Sequence, residues 1–83
     1  MSIKYLYHYK TQVGTFGISP DPVNSGRFHL CIDGDALGSY YSPMAAADDV
    51  YLQASGYPEW DSLEPVTSPI DLSEWTKGTP DDI

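Results

Sequence analysis

Polar and apolar side chains alternate with period two from the start of the chain. In residues 3–10, Ile3, Tyr5, Tyr7 and Tyr9 share one side and Lys4, Leu6, His8 and Lys10 the other. That pattern predicts a strand with one largely polar face. Thr11-Gln12-Val13-Gly14 reads as a hairpin turn into a second strand, residues 15–19, which points Phe16 and Ile18 the same way. Residues 20–26 hold two prolines, an asparagine, a serine and a glycine. Prolines fix φ and supply no amide donor, so this stretch is a loop. A third strand, residues 27–32, sends Phe28, Leu30 and Ile32 to one side. Asp33-Gly34 follows as a tight hairpin signal, because two-residue turns of this kind need positive φ. A fourth strand runs over residues 36–41, with Gly38 as a bulge candidate.

At Ser42-Pro43 the period changes to that of a helix. Serine caps free amides, and a proline at the first helical position sacrifices no hydrogen bond. Ala46, Ala47, Val50, Tyr51 and Ala54 form the apolar stripe, Gly56 is the expected stop, and Asp48 and Asp49 fall on the outer side. The small alanines let the helix axis approach a sheet face built from Phe16, Ile18, Phe28, Leu30 and Ile32. Beyond Tyr57 the periodicity dissolves, and prolines at 58, 65, 69 and 80 interrupt any long element. Trp60, Leu63, Ile70, Leu72 and Trp75 are expected to fasten this tail to the body. The fold expected is α+β: an antiparallel sheet of three to four strands, one helix packed on one face, and an irregular C-terminal tail. A body over residues 1–56 and an acidic, Trp-containing tail over 57–83 make one domain, as 83 residues imply.

Composition narrows the chemistry. The lone cysteine, Cys31, has no internal partner, which favours a reducing compartment, and no signal-like or membrane-length apolar run is present. A cytoplasmic protein is expected. The formal net charge is −8, unevenly spread: residues 1–58 hold five acids against three bases, and residues 59–83 hold seven acids against one. Such a chain repels phosphate backbones and anionic membranes and attracts basic partners.

Gly26-Arg27-Phe28-His29-Leu30, the Asp33-Gly34 turn, Leu37-Gly38-Ser39-Tyr40, Ser42, Ala46-Ala47 and Val50 together resemble the AP2-type DNA-binding domain. In that pattern a strand ending in Leu-Gly-x-aromatic is followed by a helix with paired alanines. The resemblance covers residues 26–54 and implies three strands followed by a helix. The family's DNA contacts are arginines, lysines and tryptophans on the sheet, and Arg27 alone matches on the corresponding strands. The whole chain is also similar to short bacterial proteins with a G-x-F-x-I, LG-x-Y, AA-x-DV and W pattern, a group that implies no site.

His8, His29, Cys31 and Asp33 are metal-ligand types, yet no CxxC, HxxxH or HxxE spacing joins them. A Cys31–histidine dyad needs an electropositive site to form thiolate, and the chain is acidic. Asp48 and Asp49 are adjacent on a helix and splay apart, unlike a general acid–base pair. Tyr5, Tyr7 and Tyr9 lack the basic groove of a single-strand binder. The expectation is a protein with no catalytic residue, metal or cofactor. It binds a basic partner protein, as a nucleic-acid mimic or inhibitor, through Asp48, Asp49, Glu59, Trp60, Asp61, Glu64, Asp71 and Glu74. The alternative is an AP2-like nucleic-acid-binding module, which requires Lys4, Lys10 and Arg27 to converge on one sheet face.

Overall fold

Alternation along the strands becomes two distinct sheet faces in the computed structural model, which describes residues 4–63, 69 and 71–80. The strands are β1 (Tyr7–Thr11), β2 (Gly14–Pro20), β3 (Phe28–Ile32), β4 (Asp35–Tyr40) and β5 (Thr76–Lys77). They form one antiparallel sheet in the order β4-β3-β2-β1-β5. The sheet therefore has five strands, where three to four were expected. The fifth comes from the tail: Thr76 and Lys77 pair with His8 and Tyr7, and the Gly78 amide donates to the Leu6 carbonyl at 2.8 Å. His8 reinforces this join, its Nδ1 donating to the Gly78 carbonyl at 2.7 Å.

Phe16 and Ile18 stand opposite Tyr9 and Tyr7 on one side and Ile32 and Leu30 on the other, so these residues share a face. Phe16, Ile18 and Leu30 are fully buried there, each removal from water being worth about 1.5–3 kcal/mol. The Asp33-Gly34 turn takes the expected positive φ at both residues, 47° and 94°. The bulge lies between Ala36 and Gly38, which pair with Cys31 and Leu30 and leave Leu37 as the extra residue.

The first strand starts later than its alternation suggests, and Tyr5 does not share the face of Tyr7 and Tyr9. Its ring lies over Gly17, which pairs with His8 and Cys31 and so belongs to the opposite face. A β-carbon at Gly17 would stand 2.3 Å from that ring, so glycine is what makes room for it. The Tyr5 amide donates to Thr79 Oγ1 at 2.9 Å, which places the residue beside the C-terminal segment before β1 begins. Ile3 lies outside the described residues.

Helix α1 spans Pro43–Tyr51 and begins as expected, Ser42 Oγ accepting from the Ala45 amide at 3.1 Å. It packs on β3 and β4 through Ala46, Ala47 and Val50. Its end differs from expectation. Leu52 is the C-cap, and Gln53, at φ 55°, supplies the left-handed residue in place of Gly56. The Gln53 side chain explains why a non-glycine serves: its amide donates to the Trp60 carbonyl at 2.9 Å and the Leu63 carbonyl at 3.2 Å. Tyr51 and Ala54, expected on the inner stripe, are exposed.

α1 leaves the β1–β2 half of the core face to aromatic rings from the tail. A single-turn helix, α2 (Pro58–Asp61), inserts Trp60, and a 3-10 turn (Leu72–Glu74) leads to Trp75. Trp60 meets Phe16 edge-on at 5.5 Å between centroids, and Tyr9 sits 6.3 Å from Trp60 and 5.7 Å from Trp75. Trp60 Nε1 donates to the Val50 carbonyl at 2.9 Å, joining the tail to α1. Leu63 and Leu72 pack on the same cluster, and Ile70 lies outside the described residues.

Candidate functional site

The outer side of α1 is unusual for a surface helix. Met44, Asp48, Tyr51 and Leu52 recur at i, i+4, i+7 and i+8, which places them on one face. Met44 is 66% exposed, Tyr51 41% and Leu52 60%. Tyr41, just before the helix, is 79% exposed, and the Arg27 guanidinium lies 4.2 Å from its ring centre. Asp48 sits exposed in the middle of this apolar stretch, and no basic residue occupies the last turn. α1 is thus apolar on both sides, with the sheet covering only one.

Met44 also forms part of the wall of a cleft of about 420 Å³ between α1 and the 3-10 turn. Tyr7, Leu72 and Trp75 supply its other apolar walls; Asp71, Ser73 and Lys77 supply its polar groups. Asp71 caps the 3-10 turn, accepting from the Ser73 hydroxyl and from the Ser73 amide at 2.9 Å. The hydroxyl first and the amide second hold its carboxyl below the usual carboxylate range, so it is ionised at neutral pH. Trp75 is 5% exposed, and its indole N–H has no acceptor among the described residues.

The acids and the tryptophan expected at a partner surface take different positions. Asp48, Glu59, Asp71 and Glu74 are exposed. Asp49 is half-buried and accepts from the Tyr40 hydroxyl at 2.8 Å, so it ties α1 to β4 and does not stand free on the outer side. Trp60 is 2% exposed and belongs to the core, out of a partner's reach. Asp61 organises the loop before α2, accepting from the Ser55 amide at 3.0 Å, the Ser55 hydroxyl at 2.8 Å and the Gly56 amide at 2.9 Å. Glu64 lies outside the described residues. The apolar residues beside the acids were missed by the sequence reading. Their signal was the 44, 48, 51, 52 spacing, masked by the stronger alanine stripe.

The residues weighed for metal or nucleophile chemistry are engaged separately. His8 bonds the Gly78 carbonyl, and His29 Nε2 lies 3.2 Å from Asp21 Oδ2. Asp33 Oδ1 accepts from the Thr15 amide at 3.0 Å. Cys31 is buried with its sulfur 3.9 Å from Ser19 Oγ, and burial pushes its thiol pKa up, away from thiolate. Among the described residues no three histidine, cysteine or acidic side chains gather as a metal cluster would.

The bases of the nucleic-acid alternative are spread along the sheet. Lys10 pairs with Thr15 near the start of β2, and Arg27 precedes Phe28, which pairs with Pro20 at its end. Five strand steps separate those positions, about 17 Å. Among the described residues no helix is long and apolar enough to cross a membrane. Comparison with known proteins finds no match: no family model fits the chain, and no curated protein or solved structure is significantly similar to it.

Proposed function

We propose that this chain is a non-enzymatic binding protein that engages a basic partner protein through the outer side of α1 and the exposed acids beside it. One observation carries the reading: Met44, Tyr51 and Leu52 remain exposed on a single helical face around Asp48. Apolar side chains clustered on a surface mark a docking site, and aromatic and methionine side chains are favoured there. The net charge of −8 sets the partner's sign. Proteins whose basic surfaces ordinarily hold nucleic acid are the partner class that such a face imitates.

The test is a tagged pull-down from host lysate after nuclease treatment, run beside a Met44→Ser, Asp48→Lys, Leu52→Ser triple variant. The expected result is a basic protein retained by the wild type and lost by the variant. Equal retention by both removes α1 from the interface. Recovery of nucleic acid, abolished by nuclease, replaces this reading with the AP2-like one, in which Lys4, Lys10 and Arg27 make phosphate contacts and affinity falls steeply with salt.

A further inference from the structure

We infer that the cleft between α1 and the 3-10 turn receives an arginine side chain of the basic partner. The inference rests on the docking reading above and adds the residue type that the partner must present. Met44 belongs both to the outer side of α1 and to the cleft wall, so a chain lying along the helix reaches the cleft without a gap. The walls offer two aromatic residues, Tyr7 and Trp75, and two aliphatic ones, Met44 and Leu72. Such a lining suits a long apolar stem ending in a delocalised cation, which stacks on aromatic rings.

Charge selects the cation. Asp71 lines the cleft as a carboxylate, Glu74 stands exposed on the same turn, and Asp48 lies one helical turn from Met44. Among the described residues the lining itself balances Asp71 against Lys77, and Glu74 and Asp48 beside it make the surroundings of the cleft negative. Asp71 Oδ1 takes both bonds from Ser73, which leaves Oδ2 directed elsewhere, and a guanidinium can bond a carboxylate in this exposed position. Trp75 lines the cleft while its indole N–H is buried, so that N–H reports the filling of the cleft without itself bonding the ligand. The volume, about 420 Å³, falls in the range of small-ligand sites and accommodates one side chain with part of its backbone.

The probe is a short capped peptide, Ac-Ala-Leu-Arg-Ala-Leu-NH2, with a citrulline-for-arginine version as its uncharged isostere. Binding is read from the two indole N–H resonances, assigned with Trp75→Phe, and from the backbone amides of α1. The arginine peptide is expected to shift the Trp75 resonance while Trp60 stays still. Asp71→Asn, which retains the cap on the Ser73 amide, is expected to weaken that binding about fivefold or more. A shift confined to α1, an equal response to citrulline, or unchanged affinity in Asp71→Asn overturns the cleft assignment and leaves the acidic docking face in place. No shift anywhere at low salt overturns both. Met44→Gln, at a side chain 66% exposed, makes one wall of the cleft mouth polar at nearly constant size without touching the core, and is a second variant expected to fold and to weaken binding of the arginine peptide.

Discussion

On the inner side of α1, Ala46, Ala47 and Val50 are no more than 1% exposed and lie against the sheet; on the outer side, Met44, Tyr51 and Leu52 are 66%, 41% and 60% exposed. The outer side chains are the larger ones. A helix serving only to roof the sheet needs the small inner alanines and a polar exterior. Leaving bulk outside gains nothing from burial at about 25 cal/mol per Å² and invites association. The two sides therefore differ in kind: the inner one is built for close approach to the sheet, and the outer one is where the proposed partner would dock. They can be broken separately.

The largest effect is expected at the inner side's far support. Trp60 packs edge-on to Phe16 and donates its indole N–H to the Val50 carbonyl. Trp60→Ala removes both contacts and leaves a cavity, at a cost of about 3–5 kcal/mol. That is a large share of the stability of a chain this short. Urea unfolding followed by far-UV circular dichroism measures it. A loss below about 1 kcal/mol would mean that α1 holds its place without the tail.

A neighbouring pair sharpens the contrast further. Ala47 is 1% exposed and Ala45 is exposed. Ala47→Leu forces a side chain between helix and sheet and costs about 1–3 kcal/mol. Ala45→Leu makes the same chemical change two residues away and stays within about 0.5 kcal/mol of wild type. Equal midpoints for the two variants in one denaturant series would dissolve the distinction between the sides.

The same helix shows what could be read ahead of the structure. Its start was legible because Ser42-Pro43 is local chemistry, and the Asp33-Gly34 hairpin was legible for the same reason. The core face of β2 and β3 followed from alternation at Phe16, Ile18, Leu30 and Ile32. Three features were not legible. The helix ends at Tyr51 because Gln53 is held left-handed by carbonyls of Trp60 and Leu63, contacts that cross from the tail. Thr76 and Lys77 form a strand only because the free edge of β1 is there to template two residues too few to show a period. Tyr5 leaves the face of Tyr7 because Gly17, twelve residues on, leaves a space that fits its ring. Among the expected site residues, Asp48, Glu59, Asp71 and Glu74 are exposed as surface acids should be. Trp60, Asp49 and Asp61 were drawn inward by the Val50 carbonyl, Tyr40, and the Ser55-Gly56 backbone.

Between the two sides lies Asp49, and its bond with Tyr40 gives a smaller, pH-dependent effect. Tyr40→Phe leaves the half-buried carboxylate short of one donor and is expected to cost about 1 kcal/mol near neutral pH. In the folded protein, burial first and the Asp49 carboxylate second push the Tyr40 phenol well above its ordinary value of 10.0. A raised folded value means that the contribution is complete below about pH 10 and is lost as pH rises beyond it. The gap in Tm between wild type and Tyr40→Phe should therefore hold from pH 7 to 9 and narrow above 10. A gap that widens with alkali would show that Tyr40 is not the buried donor in this pair.

The outer side should give the smallest change in stability and the largest in association. Met44→Ser and Leu52→Ser each remove an exposed apolar side chain, and each is expected within about 0.5 kcal/mol of wild type. Both lie on the face that carries Asp48, so a partner seated there loses anchors two turns apart, and interface anchors of this kind cost about 1–2 kcal/mol or more when truncated. A Tm unchanged together with binding weakened at least tenfold separates a docking side from a packing side. If the two variants instead lower Tm by several degrees, the outer side chains are holding the fold together. The apolar residues of α1 would then serve one purpose on both of its sides, and the case for a partner would have to be made from the acids alone.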